Sequence, residues 1–339
     1  MQLTKKQKLN RELGKRAKGA SQISDTTADI ASGKILRAKG GKFVVLCLSE
    51  KKEFTCLAKR IILKDFGELL AGDAVDFCKK TSEIIHVQER TNVLIRPPVA
   101  NLDQVIIVIA QKPAPDYALL DKILIDAFSL DIEPIIVINK VDLEGSEVLI
   151  KHIKDIYTNV VGKTNILQTC AKVKQKGARI KGITTLKKKL LNNFSCFAGQ
   201  SAVGKSALMN ALFPNLNLQT GDLSAKIDRG KHTTRYSRIY YEGEKFVCDT
   251  PGFSLLDLKN IQANHLSDYY PDYKEFAKKC KFNNCNHIGE IDCNIKAEVE
   301  KGTLDKARYE RYIAIYNELL ECICSQIRTK CKRPNCKNL

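Results

Sequence analysis

An α/β core with a small β-barrel before it and a helical, cysteine-rich segment after it is the fold class that the sequence predicts, and three observations predict it. Residues 30–95 alternate short β-rich runs with glycine and charged turns. From residue 104, continuous apolar runs alternate with amphipathic stretches, the pattern of parallel strands covered on both faces. After about residue 260 the apolar strands stop, and Cys/His spacing and helical periodicity take over. At 339 residues the chain is long enough for two or three domains with their own cores.

Residues 1–29 read as a disordered basic arm. The first twenty hold seven Lys/Arg against one acid, Glu12, and no apolar run that could form a signal-peptide core. Residues 30–97 read as a small antiparallel barrel, because GKILRAKGGKFVVLCL, EFTCLAKRIIL, DAVDFCKK and EIIHVQERTNVLIR show almost no helical periodicity. An OB-like barrel is preferred, since a basic protein commonly uses one for nucleic acid; a packing or spacer module is the alternative. Arg96-Pro97-Pro98 breaks any continuing ladder and marks the boundary.

Residues 98–260 begin a new pattern. Gln104–Ala110 and Pro134–Asn139 are buried-strand runs with an amphipathic helix, 116–130, between them. A helix over 146–157, a strand over 193–198, a helix after Lys205 and a hairpin ending at Asp249 follow. Residues 261–339 form the last region. A helix over Thr303–Ile327 carries Tyr309, Tyr312, Ile313, Tyr316 and Leu320 at helical steps, a stripe read as core rather than as a base-stacking platform.

Lys+Arg number 56 against 38 for Asp+Glu, a formal charge of +18, which favours a polyanionic partner, RNA or DNA, over a merely solvated lysine-rich surface. No stretch approaches the ~18 apolar residues of a membrane helix, so a soluble, cytoplasmic protein with no membrane partner is expected. Thirteen cysteines without a secretory signal point to reduced thiols or metal ligands. Cys47, Cys196 and Cys248 lie in apolar strand-like runs and read as small buried hydrophobes.

The chemistry is carried by loops at strand ends. Gly199-Gln200-Ser201-Ala202-Val203-Gly204-Lys205-Ser206, followed by Ala207, stands between a strand and a helix, the context of a phosphate-binding loop. Its amides and helix N-terminus face phosphate, Lys205 reaches the β/γ oxygens, and Ser206 can coordinate Mg2+. Asp249-Thr250-Pro251-Gly252 ends another strand; its carboxylate can hold Mg2+ through water and the Gly252 amide can meet the γ-phosphate. Asn139-Lys140-Val141-Asp142 ends a third strand, where Asp142 can accept the ring NH and exocyclic amine of guanine while Lys140 covers the base. Adenine offers no such donor pair. Thr169-Cys170-Ala171-Lys172 suits the loop that supports the base through backbone.

NKVD stands about sixty residues before GQSAVGKS, the reverse of the order in an ordinary Ras-like GTPase, and this points to a circularly permuted P-loop GTPase fold. Between the phosphate loop and DTPG runs Arg229-Gly-Lys-His-Thr-Thr-Arg, suited to a switch in which Thr233 or Thr234 closes on Mg2+ and the γ-phosphate. The position of a water-orienting glutamine after DTPG is Phe253, which leaves His232 as the candidate catalytic residue, a plain switch-loop histidine being the alternative. Cys280, Cys285, His287 and Cys293, three thiols and an imidazole within fourteen residues, offer the closed tetrahedral set of a structural Zn2+. Cys322, Cys324, Cys331 and Cys336 make a looser cluster in the basic tail, without a histidine.

NKVD, GQSAVGKS, KHTTR, DTPGF and the Cys-x4-Cys-x-His-x5-Cys finger, with GDAVDF, ERTNVLIRP and NLDQVIIV ahead of them, resemble the RsgA/YjeQ family of circularly permuted, ribosome-associated GTPases over residues 30 to about 320. The resemblance implies an OB domain, a permuted GTPase domain and a zinc domain, acting in late maturation of the small ribosomal subunit with subunit-stimulated GTP hydrolysis to GDP. It implies guanine contacts at Asn139, Lys140 and Asp142, phosphate contacts at Gly199 through Ser206, zinc ligands at Cys280, Cys285, His287 and Cys293, and a catalytic role considered for His232. Partners would be the small subunit and its rRNA, bound by a monomer. Three positions depart from the family pattern: Ala202 replaces a usual glycine, Ala207 a common hydroxyl residue, and Arg235 a frequent threonine. A non-enzymatic RNA-binding scaffold and a P-loop ATPase are the competing readings.

Overall fold

The computed structural model describes residues 29–95, 98–171, 182–214, 238–249, 258 and 261–330. Strands β1 (Ile30–Lys39), β2 (Lys42–Cys47), β3 (Lys52–Ala58), β4 (Ala74–Cys78) and β5 (Glu83–Val87) close a barrel in the order β1-β2-β3-β5-β4. β4 returns to β1, and β3 and β5 run parallel. This five-stranded closure is the OB-type barrel that the alternating pattern predicts. A register shift between Ile35 and Arg37 lets one long strand bend to serve two neighbours. Inward Ile35, Val45, Cys47, Cys56, Phe77 and Ile84 fill the interior. Helix α1 (Arg60–Phe66) corrects the expectation of a nearly helix-free region: seven residues with none buried show no periodicity to read.

The barrel meets the core through its own sequence motifs. Asp73 of GDAVDF is fully buried and takes Arg90 Nε of ERTNVLIRP at 2.7 Å and Nη2 at 2.8 Å. Asn92 exchanges two hydrogen bonds with the backbone of Leu102, at 2.8 and 2.9 Å, pinning the short hairpin of β6 (Val93–Leu94) and β7 (Val99–Ala100). Arg96 and Pro97, the expected boundary, lie outside the described residues.

The central sheet runs β10-β9-β8-β11-β13-β12, with β8 (Gln104–Ala110), β9 (Glu133–Asn139), β10 (Ile166–Gln168), β11 (Phe194–Ala198) and β13 (Lys245–Asp249) parallel and β12 (Arg238–Glu242) antiparallel at the edge. Alternate residues of each strand serve opposite layers, which is why the strands read as unbroken apolar runs. Val105, Ile107 and Ile109 pack with helices α2 (Tyr117–Ser129) and α3 (Ser146–Val161). Ile106, Val108 and Ala110 pack with α4 (Ile183–Lys189) and α5 (Lys205–Leu212). Cys196 and Cys248 are buried in the first layer, as expected of small hydrophobes.

A 3-10 helix over Ala263–Tyr269, then α6 (Lys274–Ala277), α7 (Asn294–Glu300) and α8 (Lys306–Lys330), surround a tyrosine core. Tyr270, Tyr273 and Tyr312 rings lie 4.9–5.4 Å apart, so Tyr309 and Tyr312 are core residues. Leu320 corrects the stripe, because it is 42% exposed while Ile315 and Leu319 are buried instead. Ile125 of α2 joins this core and seats α8 against the α/β layer. Among the described residues no helix is long and apolar enough to cross a membrane.

Candidate nucleotide and metal sites

Three loops converge where β9, β10 and β11 end, the edge at which parallel sheets place ligands. Asn139 is buried; its Nδ2 donates to the carbonyl of Val203, 2.9 Å away in the phosphate loop, and its Oδ1 accepts from Thr169 Oγ1 at 3.1 Å. Lys140, at φ +58°, sends its ammonium to the carbonyls of Ala202 at 2.8 Å and Lys112 at 2.9 Å. Asp142 lies exposed, and Cys170 Sγ donates to its Oδ1 at 3.0 Å. Thr169 and Cys170 thus hold both polar ends of NKVD through side chains, where sequence suggested only a backbone role.

The phosphate loop is shaped by its neighbours. At Gly199, φ +120°, a Cβ would stand 2.2 Å from the Val108 carbonyl; at Gly204, φ +99°, it would stand 2.4 Å from Asn139 Nδ2. Glycine is required at 204 because the Asn139 side chain occupies the space of a Cβ. Lys205 Nζ lies within the loop, donating to the carbonyls of Gly199 at 2.7 Å and Gln200 at 2.6 Å. Val203 is fully buried, Ser201 and Ala202 are exposed, and Ser206 and Ala207 are half-buried at the start of α5. The Gln200 side chain turns away from the loop centre: Nε2 donates to Ala114 O at 3.1 Å, and Asp116 N donates to Oε1 at 3.0 Å. Asp249 ends β13, parallel to β11, so its backbone lies at this same edge.

Cys280, Cys285, His287 and Cys293 bring one ligand atom each within 4.8 Å of one another. A tetrahedral zinc with sulfurs at about 2.3 Å and nitrogen at about 2.0–2.1 Å sets sulfur–nitrogen edges of about 3.6 Å. His287 Nδ1 stands 3.6 Å from Cys280 Sγ and 3.5 Å from Cys293 Sγ, so the residues fit the ion. Burial pushes the Cys285 thiol up to about 12, raises Cys293 and lowers His287, so thiolates here call for a cation. The Glu290 carboxylate accepts from the amides of Asn286, Ile288 and Gly289 at 2.7–3.1 Å, and Tyr309 and Tyr312 donate to the carbonyls of His287 and Asn286 at 2.7 Å. These bonds orient the ligand loop from behind.

Comparison with known proteins decides the family. The model for the RsgA GTPase matches residues 87–259. A small ribosomal subunit biogenesis GTPase RsgA of Geobacillus sp. (strain WCH70) is 40% identical over 304 residues, covering 86% of this chain and 98% of that protein. The chain belongs to the RsgA GTPase family. Its namesake from Staphylococcus epidermidis (strain ATCC 12228 / FDA PCI 1200) is 37% identical across 85% of this chain and 97% of its own. Thermotoga maritima YjeQ superposes with a TM-score of 0.73 at 31% identity, over 86% of this chain and 99% of that one. YloQ, described as a circularly permuted GTPase, gives 0.70 at 30% identity over 89% and 98%. As an RsgA GTPase the chain is a GTP-hydrolysing enzyme of permuted order.

Within this RsgA chain His232, Thr233, Thr234, Arg235, Gly252, Phe253 and Lys172 lie outside the described residues, as do Cys331, Cys336 and the side chains of Asp249, Cys322 and Cys324. Sequence reading passed over Asp116, Asp121, Arg308 and Arg311. No motif marks them; charged residues on amphipathic helices read as solvated faces until a fold buries them.

Proposed function

We propose that this enzyme hydrolyses GTP to GDP with Mg2+ during late maturation of the small ribosomal subunit, and that hydrolysis releases it from rRNA. The observation that carries the reading is the Asn139–Val203 bond beside the Lys140–Ala202 bond, which joins a guanine reader to a phosphate loop. The names of the relatives supply the subunit, and the +18 charge suits rRNA. The units would be a basic arm over 1–29, an OB-like barrel over 30–97, a permuted GTPase domain over 98–260 and a zinc domain over 261–339, working as a cytoplasmic monomer.

In this reading Asp142 accepts the two NH groups of guanine, Asn139 and Lys140 fix the base loop, and the amides of 199–207 with Lys205 receive the phosphates. Ser206, and Asp249 through water, would hold Mg2+, which would supply positive charge beside the phosphates. Thr233 or Thr234 and Gly252 meet the γ-phosphate, and His232 positions water or exchanges its proton. Ordering of 229–235 and 249–254 by GTP would pass directly into the C-terminal region, where Cys280, Cys285, His287 and Cys293 would hold a Zn2+ that cross-links their loop. GTP turnover with purified small subunits, wild type beside His232→Ala, tests the proposal. Subunit-stimulated turnover is expected, lost in the variant; a scaffold would show no stimulation, and an ATPase would let ATP compete with GTP. Equal subunit affinity with GTP analogue and GDP at matched salt would contradict the release step.

A further inference from the structure

Among the described residues, the nucleotide and metal sites leave unused a buried ionic cluster between α2 and α8. Asp121 on α2 is fully buried, and its carboxylate accepts from Arg308 Nη1, from Arg311 Nε at 2.5 Å and from Tyr157 Oη at 2.9 Å. Arg308 is 3% exposed and divides itself between Asp121 and Asp272, donating to Asp272 Oδ2 at 3.0 Å. The Arg311 guanidinium also lies 5.4 Å from the ring centre of Tyr117, the first residue of α2.

A cluster of this kind is a poor way to gain stability, because matched apolar side chains do as well or better. What it does well is forbid sliding: α8 cannot move along α2 without stripping a desolvated charge of its partner. The place where it grips matters. Asp121 stands four residues into α2, about 6 Å from its start at 1.5 Å per residue. Asp116 caps that start, accepting from Leu119 N at 2.9 Å, and its own amide donates to Gln200 of the phosphate loop at 3.0 Å. Ala114 O accepts from the same Gln200 side chain at 3.1 Å. One helical turn therefore separates the arginines of the C-terminal helix from the clip on the phosphate loop.

We propose that Arg308 and Arg311 are positioning residues for the nucleotide reaction, holding through Asp121 and Tyr117 the first turn of α2, and through Gln200 the phosphate loop. The inference rests on the reading of 199–206 as the phosphate site. It gives the C-terminal region a route to the nucleotide that does not pass through the DTPG loop. Because coupling is reciprocal, whatever displaces α8 changes nucleotide affinity, and nucleotide steadies α8.

A double-mutant cycle on the full-length protein tests it, using GDP and a non-hydrolysable GTP analogue as probes. Arg311, 17% exposed, is altered rather than the more deeply buried Arg308. Arg311→Gln and Gln200→Ala are each expected to weaken nucleotide binding about fivefold, the double variant no more than the worse single, and Arg311→Lys less than Arg311→Gln. A merely structural role for Arg311 would lower the melting temperature but give losses that multiply with those of Gln200→Ala. Multiplying losses, or an Arg311→Gln protein that folds and binds normally, overturn the proposal. Hydrogen exchange supplies the second arm should Arg311→Gln not fold: nucleotide is expected to protect amides 306–320 in wild type and not in Gln200→Ala, and equal protection in both overturns the link. A wild type that binds no guanine nucleotide defeats the site assignment instead, which separates the two failures.

Discussion

The candidate nucleotide site and the cysteine–histidine cluster differ in how far apart in sequence their parts begin and in what holds them. Cys280 to Cys293 supply four ligand atoms within 4.8 Å, and burial pushes the Cys285 thiol up to about 12, which favours a cation beside its thiolate. The candidate nucleotide site gathers groups from Asn139 to Lys205 and joins them to one another: Thr169 to Asn139, Asn139 to Val203, Lys140 to Ala202, Cys170 to Asp142. A local set needs an ion to hold its thiolates together, on a loop that Glu290, Tyr309 and Tyr312 brace. A dispersed one carries its geometry in the protein, which is the condition for electrostatic preorganisation.

The largest expected effect follows from that contrast. Cys285→Ala, or a strong chelator, is expected to remove on the order of 5 kcal/mol or more from the C-terminal region, since zinc binding and folding are one equilibrium in such sites. Hydrogen exchange over 285–320, beside a measured zinc content, checks it. Binding of one zinc per chain with unchanged exchange on its removal would break the comparison from the metal side.

Asp142→Asn comes next. On the proposed reading Asp142 accepts two NH groups of guanine, so the variant is expected to weaken GTP binding about a hundredfold or more. Xanthosine triphosphate, whose C2 oxygen can accept from the new amide, should gain in its place. Titration of both nucleotides decides, and an unchanged preference would show that the base is read elsewhere.

Two adjacent side chains sharpen the point at about tenfold or less. Thr169 is fully buried and acts on Asn139, which holds the phosphate loop, so Thr169→Val should weaken GTP and ITP equally. Cys170 acts on Asp142, so Cys170→Ala should weaken GTP more than ITP, which lacks the exocyclic amine, and Cys170→Ser should restore the ratio. Equal loss of both nucleotides in Cys170→Ala would mean that the thiol packs rather than orients.

How much of this was legible beforehand follows the same division. The cysteine–histidine set and the strand-loop-helix around Lys205 could be read directly, because spacing alone carries them. Strands β8, β9 and β11 were legible because burial on both faces leaves an unbroken apolar run. Helix α1 was not, with seven residues and none buried, nor was the three-residue strand β10. Arg308 could not be recognised as buried, since the carboxylate that draws it in lies 187 residues away. Gly204 stands between the two cases: its motif was plain, and the reason for it, Asn139 Nδ2 at 2.4 Å from a Cβ, needed the fold.

The smallest expected effect concerns Ala202, where the family pattern has glycine. Its φ of +63° lies in the left-handed region, which costs an L-residue with a Cβ roughly 1–2 kcal/mol. Ala202→Gly removes that cost and restores about 0.4–1 kcal/mol of unfolded-chain freedom, which acts in the opposite direction. The difference favours glycine by about 0.8 kcal/mol. The loop keeps its hydrogen bonds in the variant, because the Lys140 ammonium bonds to the Ala202 carbonyl rather than to its side chain. Denaturant melts of wild type and variant measure the sign. A variant less stable than wild type would mean that the loop holds Ala202 in a less strained conformation than φ +63°, and the carbonyl geometry that joins Lys140 to the phosphate loop would need to be drawn again.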